Sequence, residues 1–183
     1  MRFAGSAYGI EHRALPARGY RLYRIAVRGL YGVPWPRRLL RLALLPLAFV
    51  QCVAILLAWR PHLVIGVGGY ASGPMLATAL LLRRRCVLQE QNAYPGLTNR
   101  LLGRHVQVAF TAVEDREGFF RRALVTGTPV REAIRALRAE PPAERPVPLL
   151  FVFGGSQGAR AINRALCEAL PRLAAWGRPL RIV

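Results

Sequence analysis

Three glycine-rich runs stand where backbone chemistry is possible. They are Gly66-Val67-Gly68-Gly69-Tyr70-Ala71, Gly127-Thr128-Pro129-Val130-Arg131 and Gly154-Gly155-Ser156-Gln157-Gly158. Each follows a β-rich run and precedes a helical one, so each exposes backbone N–H groups at a positive helix terminus, a setting suited to phosphate or pyrophosphate. A fourth run, Glu90-Gln91-Asn92 before Tyr94-Pro95-Gly96, sets a carboxylate and two amides in a turn. Asn92 can donate and accept towards a sugar or a phosphate, and Arg131 can neutralise a phosphate oxygen. Two readings of Glu90 stand at this point: a group near a reaction centre, or a buried carboxylate tying strand ends together.

Two of these runs also match rival motifs. Gly66-Val67-Gly68-Gly69-Tyr70-Ala71 satisfies G-x-G-x-x-A, with Glu90 near the place of a ribose-binding acid, so a nicotinamide-dependent oxidoreductase is an alternative. Pro74 argues against it, falling where the helix should already be running. Gly154-Gly155-Ser156-Gln157-Gly158 is formally G-x-S-x-G, but no His follows Ser156, so a serine-hydrolase triad cannot be completed downstream.

The elements that must carry these turns read as a parallel α/β sheet, strands alternating with helices through short turns. Strands are predicted at 62–66, 86–90, 106–110, 124–126, 149–153 (buried) and 180–183. Helices are predicted at 42–59, 75–82, 97–102, 114–122, 132–138 and 159–170. A proline-rich connector, 140–148, marks a change of texture. The expected organisation is an incomplete Rossmann-like domain over 1–131, a linker over 132–148, and the start of a second α/β domain over 149–183. The beginning lacks the usual strand and glycine-rich loop of an open parallel sheet, and the second domain has too little chain to fold alone, so pieces are expected to be missing at both ends.

The chain is 183 residues with 53% hydrophobic residues, enough for a core, and carries a formal charge of +18. All 27 basic residues are Arg. Absence of Lys excludes a Walker A loop, a pyridoxal Schiff base and any lysine-based catalysis in these residues. Cys52, Cys86 and Cys167 are far apart in apolar surroundings and read as reduced core thiols. His12, His62 and His105 have no metal-ligand spacing. No nucleic-acid module accompanies the positive charge. Arg37, Arg38 and Arg41 directly precede the most apolar stretch, Leu42–Trp59, so an anionic membrane surface is the better partner, with the helix resting on the membrane rather than spanning it.

Read together, GVGGYASGP (66–74), EQNAYPGLTNRLL (90–102), VTGTPVR (125–131) and FGGSQGARAIN (153–163) resemble the signature runs of one family. It comprises the bacterial UDP-N-acetylglucosamine–N-acetylmuramyl-(pentapeptide) pyrophosphoryl-undecaprenol N-acetylglucosaminyltransferases, and the early run GIEHRALPARGY (9–20) is similar to theirs as well. The resemblance implies a GT-B fold of two Rossmann-like parallel-sheet domains, the first without its opening strand and the second only begun. It implies transfer of N-acetylglucosamine from UDP-GlcNAc onto undecaprenyl-linked muramyl-pentapeptide at the cytoplasmic face of the inner membrane, with no nicotinamide and no tightly bound metal.

It further implies that Asn92, Arg131 and Ser156 contact the donor, with Gln91, Gly154, Gly155 and Gln157 beside them. Gly68, Gly69 and Tyr70 would line the acceptor side, and Glu90 would be a catalytic candidate. Gln89 and Thr128 depart from the family, which usually has His and Asn there. These 183 residues alone are expected to give no turnover. A membrane-bound scaffold without catalysis is the non-enzymatic alternative.

Overall fold

The computed structural model describes residues 1–29, 32–139, 146–155 and 159–183. They form two compact units, 1–129 and 130–183.

The first unit opens with β1 (Phe3–Ser6), the short helix α1 (Glu11–Ala14) and β2 (Leu22–Ile25), the two strands pairing in parallel. This strand–helix–strand unit was not foreseen from the sequence, where the beginning looked devoid of a sheet. Its signal is hidden because the strands are four residues each, β1 ends in Gly5-Ser6, and Arg24 interrupts β2. Then follow α2 (Trp35–Ala43), α3 (Leu45–Trp59), β3 (Leu63–Gly66), α4 (Ser72–Leu81), β4 (Arg85–Glu90), α5 (Leu97–Leu102), β5 (Val108–Thr111) and β6 (Ala123–Val125). The last four strands make one all-parallel sheet in the order β3-β4-β5-β6.

β4 lies inside that sheet with Cys86, Val87 and Leu88 all buried, the continuous apolar run of a strand covered on both faces. Leu76 and Ala79 of α4, Leu56 of α3, Ala109 of β5, Val106 and Phe120 complete this cluster. A second cluster joins Ile25 and Val27 to Ala48 and Cys52 of α3, and Met75 packs against both clusters. Ala48, Cys52 and Leu56 recur every fourth residue and therefore share one face of α3.

The expected helix over 42–59 is divided. α2 ends at Ala43, Leu44 lies between the two helices, and Pro46 sits in the first turn of α3, where a missing N–H costs nothing. By length and composition alone, Trp35–Trp59 is long and apolar enough to cross a membrane; 17% of its apolar window is buried. The buried share includes the Ala48–Cys52–Leu56 stripe, which belongs to the protein core. Val50 and Leu57 point to solvent, as do Trp35, Leu39 and Leu40 of α2. Pro74 falls in the first turn of α4, which begins at Ser72, and there it is tolerated rather than disruptive.

No helix forms over 114–122. Gly118 turns left-handed at φ +68°. The Asp115 carboxylate accepts hydrogen bonds from the Phe119 and Phe120 N–H groups at 3.0 and 2.8 Å, closing a turn that drives Phe120 into the core.

The second unit contains α6 (Glu132–Ala136), β7 (Leu149–Leu150), α7 (Arg160–Ala174) and β8 (Arg181–Ile182), with β7 and β8 parallel. The strand expected as buried over 149–153 is two residues long, and Phe151 and Phe153 are exposed and stack on each other. α7 buries no residue, and Cys167 on it is exposed rather than a core thiol. Residues 140–145 of the proline-rich connector lie outside the described residues.

Candidate functional site

The site is built at the carboxyl ends of the parallel strands, where open α/β sheets place their ligand crevices. After β3 the chain makes the turn Val67–Ala71, in which Gly68 and Gly69 take φ of +83° and +79°, a conformation that disfavours side chains. Gly66, the last residue of β3, is glycine for a different reason. A Cβ there would lie 2.3 Å from Leu76 Cδ1 and 2.8 Å from Ser72 Oγ, so its absence lets α4 close onto the strand. The Tyr70 ring lies against Gly29, leaving no room for a Cβ on that residue.

Gly68, Gly69 and Tyr70 line a cavity of about 780 Å³, together with Ser6, Tyr8 and Gly9 after β1. Two arginines line it as well: Arg28, which sequence reasoning did not name, and Arg41, which it assigned to the membrane face. Arg28 donates to the Tyr8 hydroxyl and lies 4.4 Å over its ring, while Arg41 donates to the Gly29 carbonyl. Nothing in their spacing marks them, because the fold brings the β2 exit and the end of α2 to one cavity. Glu11 closes the same corner, accepting from the Ser6 N–H and hydroxyl at 3.1 and 3.0 Å.

The turn after β4 is organised by one carboxylate. Glu90 is 2% exposed. Its Oε1 accepts from the Asn92 N–H and side-chain amide, both at 2.9 Å. Its Oε2 accepts from the Gly96 N–H at 3.1 Å and the Asn99 side-chain amide at 2.9 Å. Four donors match the about four lone-pair directions of a carboxylate. Of the two readings of Glu90, these hydrogen bonds describe the carboxylate that ties the turn together and orients it. Asn92 is exposed, and with one amide hydrogen held by Glu90 it presents its carbonyl oxygen and second amide hydrogen outward. Gln91 beside it is exposed.

Asn99 was quoted within the 90–102 run but given no role; no spacing rule pairs it with Glu90, because α5 folds back to deliver it. A Cβ at Gly68 would lie 3.8 Å from Asn99 Nδ2, so the turns after β3 and β4 meet at this one amide. Among the described residues, the side-chain oxygen Oδ1 of Asn99 is buried without a hydrogen-bond partner, as is Gln89 Nε2 at the family-variant position.

In the second unit, Arg131 is exposed at the start of α6, and the ion pair of that helix is Arg135–Glu132 at 3.3 Å, so Arg131 is not tied up by it. Gly154 and Gly155 follow β7. A Cβ on Gly154 would lie 2.1 Å from the Ala159 Cβ, so Gly154 and Ala159 approach closely. Ser156 and Gln157 lie outside the described residues. The structure thus gathers Gly68, Gly69 and Tyr70 on one cavity, with Glu90 and Asn92 on the adjoining turn, while Arg131, Gly154 and Gly155 belong to the second unit.

Comparison with known proteins agrees with this geometry. The glycosyltransferase family 28 N-terminal domain matches residues 1–111. A UDP-N-acetylglucosamine--N-acetylmuramyl-(pentapeptide) pyrophosphoryl-undecaprenol N-acetylglucosamine transferase of Anaeromyxobacter dehalogenans (strain 2CP-C) is 48% identical over 174 residues, covering 94% of this chain and 45% of that protein. The transferase of the same name from Syntrophotalea carbinolica is 45% identical over 185 residues, covering 100% of this chain and 51% of that protein. The chain therefore spans about half the length of the curated relatives it matches. Among solved structures, the crystal structure of Acinetobacter baumannii MurG aligns over 99% of this chain and 50% of its own, with TM-score 0.70 and 29% identity. With a family domain matching more than half its residues, the chain belongs to glycosyltransferase family 28.

Proposed function

We propose that the protein of which these residues form part transfers N-acetylglucosamine from UDP-GlcNAc to undecaprenyl-pyrophosphoryl-N-acetylmuramyl-pentapeptide, the lipid I to lipid II step of peptidoglycan synthesis. The observation that carries this reading is 45% identity across the whole chain to a transferase of that name.

The geometry supports a division of labour. Gly68, Gly69 and Tyr70 offer a glycine turn against which a lipid-linked pyrophosphate can rest, with the guanidinium groups of Arg28 and Arg41 on the same cavity to balance its charge. Asn92, held by Glu90, contributes hydrogen bonds to the donor sugar or its phosphate. Arg131 pairs with the UDP pyrophosphate, and Ser156 and Gln157, with Gly154 and Gly155, add hydroxyl, amide and N–H contacts. In the reaction the glycosyl–phosphate bond breaks, UDP departs, and a muramyl hydroxyl attacks the anomeric carbon. The protein's part is alignment of the two diphosphates and stabilisation of the leaving charge.

The surroundings are proposed to be the cytoplasmic face of the inner membrane. Exposed Trp35, Leu39 and Leu40 and the charges of Arg37 and Arg38 supply an apolar, cationic face for anionic lipid.

The test is a transfer assay on the full-length parent protein with radiolabelled UDP-GlcNAc and a soluble lipid I analogue. Transfer is expected, with Asn92→Ala and Arg131→Ala each lowering kcat/KM about a hundredfold, the scale of lost charge-stabilising contacts. Absence of transfer with a thermal shift by NAD instead would move the assignment to an oxidoreductase. Vesicle binding without a response to UDP-GlcNAc would move it to a scaffold. Residues 1–183 alone are expected to give no product.

A further inference from the structure

The charges of the first unit are sorted along its strands. Arg2 stands shortly before β1, Arg21 before β2, Arg60 before β3, Arg84 before β4, Arg104 before β5 and Arg122 before β6. Within each sheet the strands are parallel, so these approaches share one edge, the amino edge. Arg2 lies 4.7 Å over the ring of Trp59, the neighbour of Arg60, which brings the amino edges of the two sheets together. No Asp or Glu stands in any of these approaches. The acids of the unit follow the other strand ends: Glu11 after β1, Glu90 closing β4, and Glu114, Asp115 and Glu117 after β5.

Helix ends explain part of this sorting. α3, α4 and α5 finish at the amino edge, where a helix C-terminus favours cations. Arg121 and Arg122 have no such cause, since no helix lies between β5 and β6. Among the described residues, the non-glycine positions with left-handed backbone are Arg60 and Arg83, at φ +45° and +52°. Glycine or asparagine is the usual occupant of such helix-ending positions, so arginine stands there against a backbone preference. Strain of that kind is a pointer to function. Beside them, Arg84 Nε is buried without a hydrogen-bond partner among the described residues.

We propose that the amino edge is a docking surface for an acidic segment of a second protein, rich in Asp or Glu. The guanidinium of Arg21 lies 4.8 Å over the Tyr23 ring, and Tyr23 packs edge-on against Trp59 at 3.8 Å. With their flat faces on these rings, Arg2 and Arg21 keep their N–H edges for an in-plane acceptor. A carboxylate fits that fork with two hydrogen bonds. The same capping occupies the rings that a single-stranded nucleic acid would need for stacking. Lipid is served at the other end, by Trp35, Leu39 and Leu40 of α2, whose Arg41 reaches Gly29 beyond the carboxyl end of β2. The docking edge is remote from the glycine turns, and the proposal does not depend on the transferase assignment.

The test measures binding of a short fluorescein-labelled polyglutamate peptide to the full-length parent protein, by anisotropy at physiological ionic strength. Arg83→Gln, Arg84→Gln and Arg85→Gln together are expected to weaken binding about tenfold, the scale of three exposed charge pairs. A control with the same loss of charge in the second unit, Arg138→Gln, Arg172→Gln and Arg178→Gln, should change it less than about twofold. Lysine at positions 83–85 keeps the charge but not the fork, and should weaken binding about threefold. The proposal fails if the glutamine variant binds within about twofold of the parent, or if the control loses as much. It fails also if the glutamine variant loses more affinity for single-stranded DNA or for phosphatidylglycerol vesicles than for the peptide, which would reassign the edge to that polyanion. If the glutamine variant does not fold, the lysine variant decides, and unchanged peptide binding by it overturns the proposal.

Discussion

The side-chain amide of Asn99, carried on α5, donates to Glu90 Oε2 at 2.9 Å and lies within contact distance of the Cβ position of Gly68. The turn after β4 and the turn after β3 are thereby built around one buried amide. A ligand held by either turn rests on the same support, so the carboxylate that organises it is expected to matter for shape before chemistry.

Glu90→Gln keeps the size of the side chain but turns one acceptor oxygen into a donor facing donors. The expected loss is about 2–4 kcal/mol of unfolding free energy, the cost of breaking a buried charged hydrogen-bond set. Urea denaturation of the parent protein measures it. Asn92→Ala, which removes one of the four donors at an exposed position, is expected to cost under about 1 kcal/mol in the same experiment. Equal losses for the two variants would contradict the central role of Glu90.

Two glycines of the first turn are expected to respond differently. Gly66→Ala forces a Cβ into Leu76, Leu88 and Ser72, and overpacking of this kind costs about 1–3 kcal/mol. At Gly69 nothing lies within 4 Å of the added carbon, and only its φ of +79° opposes it, at a cost of about 1 kcal/mol. Thermal unfolding of both variants separates clash from strain.

Burial raises the thiols of Cys52 and Cys86 from the ordinary 9.0 to about 11. Both are neutral at pH 8, and neither is accessible. Iodoacetamide under native conditions is therefore expected to label Cys167 first, with one adduct by intact mass before any second. The same shift sets a pH dependence. Above pH 9 the unfolded thiols ionise while the folded ones do not, so the unfolded state binds fewer protons. Stability contributed by these groups is complete below pH 9 and falls as pH rises towards 11. A denaturation midpoint independent of pH between 8.5 and 11 in a Cys52→Ala, Cys86→Ala variant, against a falling one in the parent, checks the sign.

Replacing Arg37 and Arg38 by Gln is expected to weaken partitioning onto phosphatidylserine vesicles by about 2 kcal/mol, or roughly thirtyfold, at low salt. Raising the ionic strength should shrink that difference, because exposed charges are screened. Co-sedimentation with vesicles at two salt concentrations measures both.

The four-stranded sheet was legible because each strand carries a short apolar run, such as Leu63–Ile65 in β3 and Cys86–Leu88 in β4, and apolar continuity is what burial on two faces requires. The pair β1 and β2 was not, since strands of four residues carrying Gly5 or Arg24 depend on a neighbour rather than on their own pattern. The polar stretch 114–122 imitated a helix by composition, but Asp115 spends its carboxylate on the two N–H groups that a helix would have needed. The turns of the site were legible from Gly68, Gly69 and Asn92. Glu90 was legible as a possible buried tie, but its partners Gly96 and Asn99 were not, because they are set by how α5 folds back, which no local spacing records.

The sheet order β3-β4-β5-β6 is also the order of synthesis. Each strand after β3 finds its earlier neighbour already made, and none of the four must wait for a later strand to be threaded between two others. Growth at a single advancing edge keeps every loop to be closed as short as parallel pairing allows, and loop closure is what slows such sheets. This half of the unit is thus arranged for vectorial assembly, with nascent β4 leaning on β3 before β5 exists.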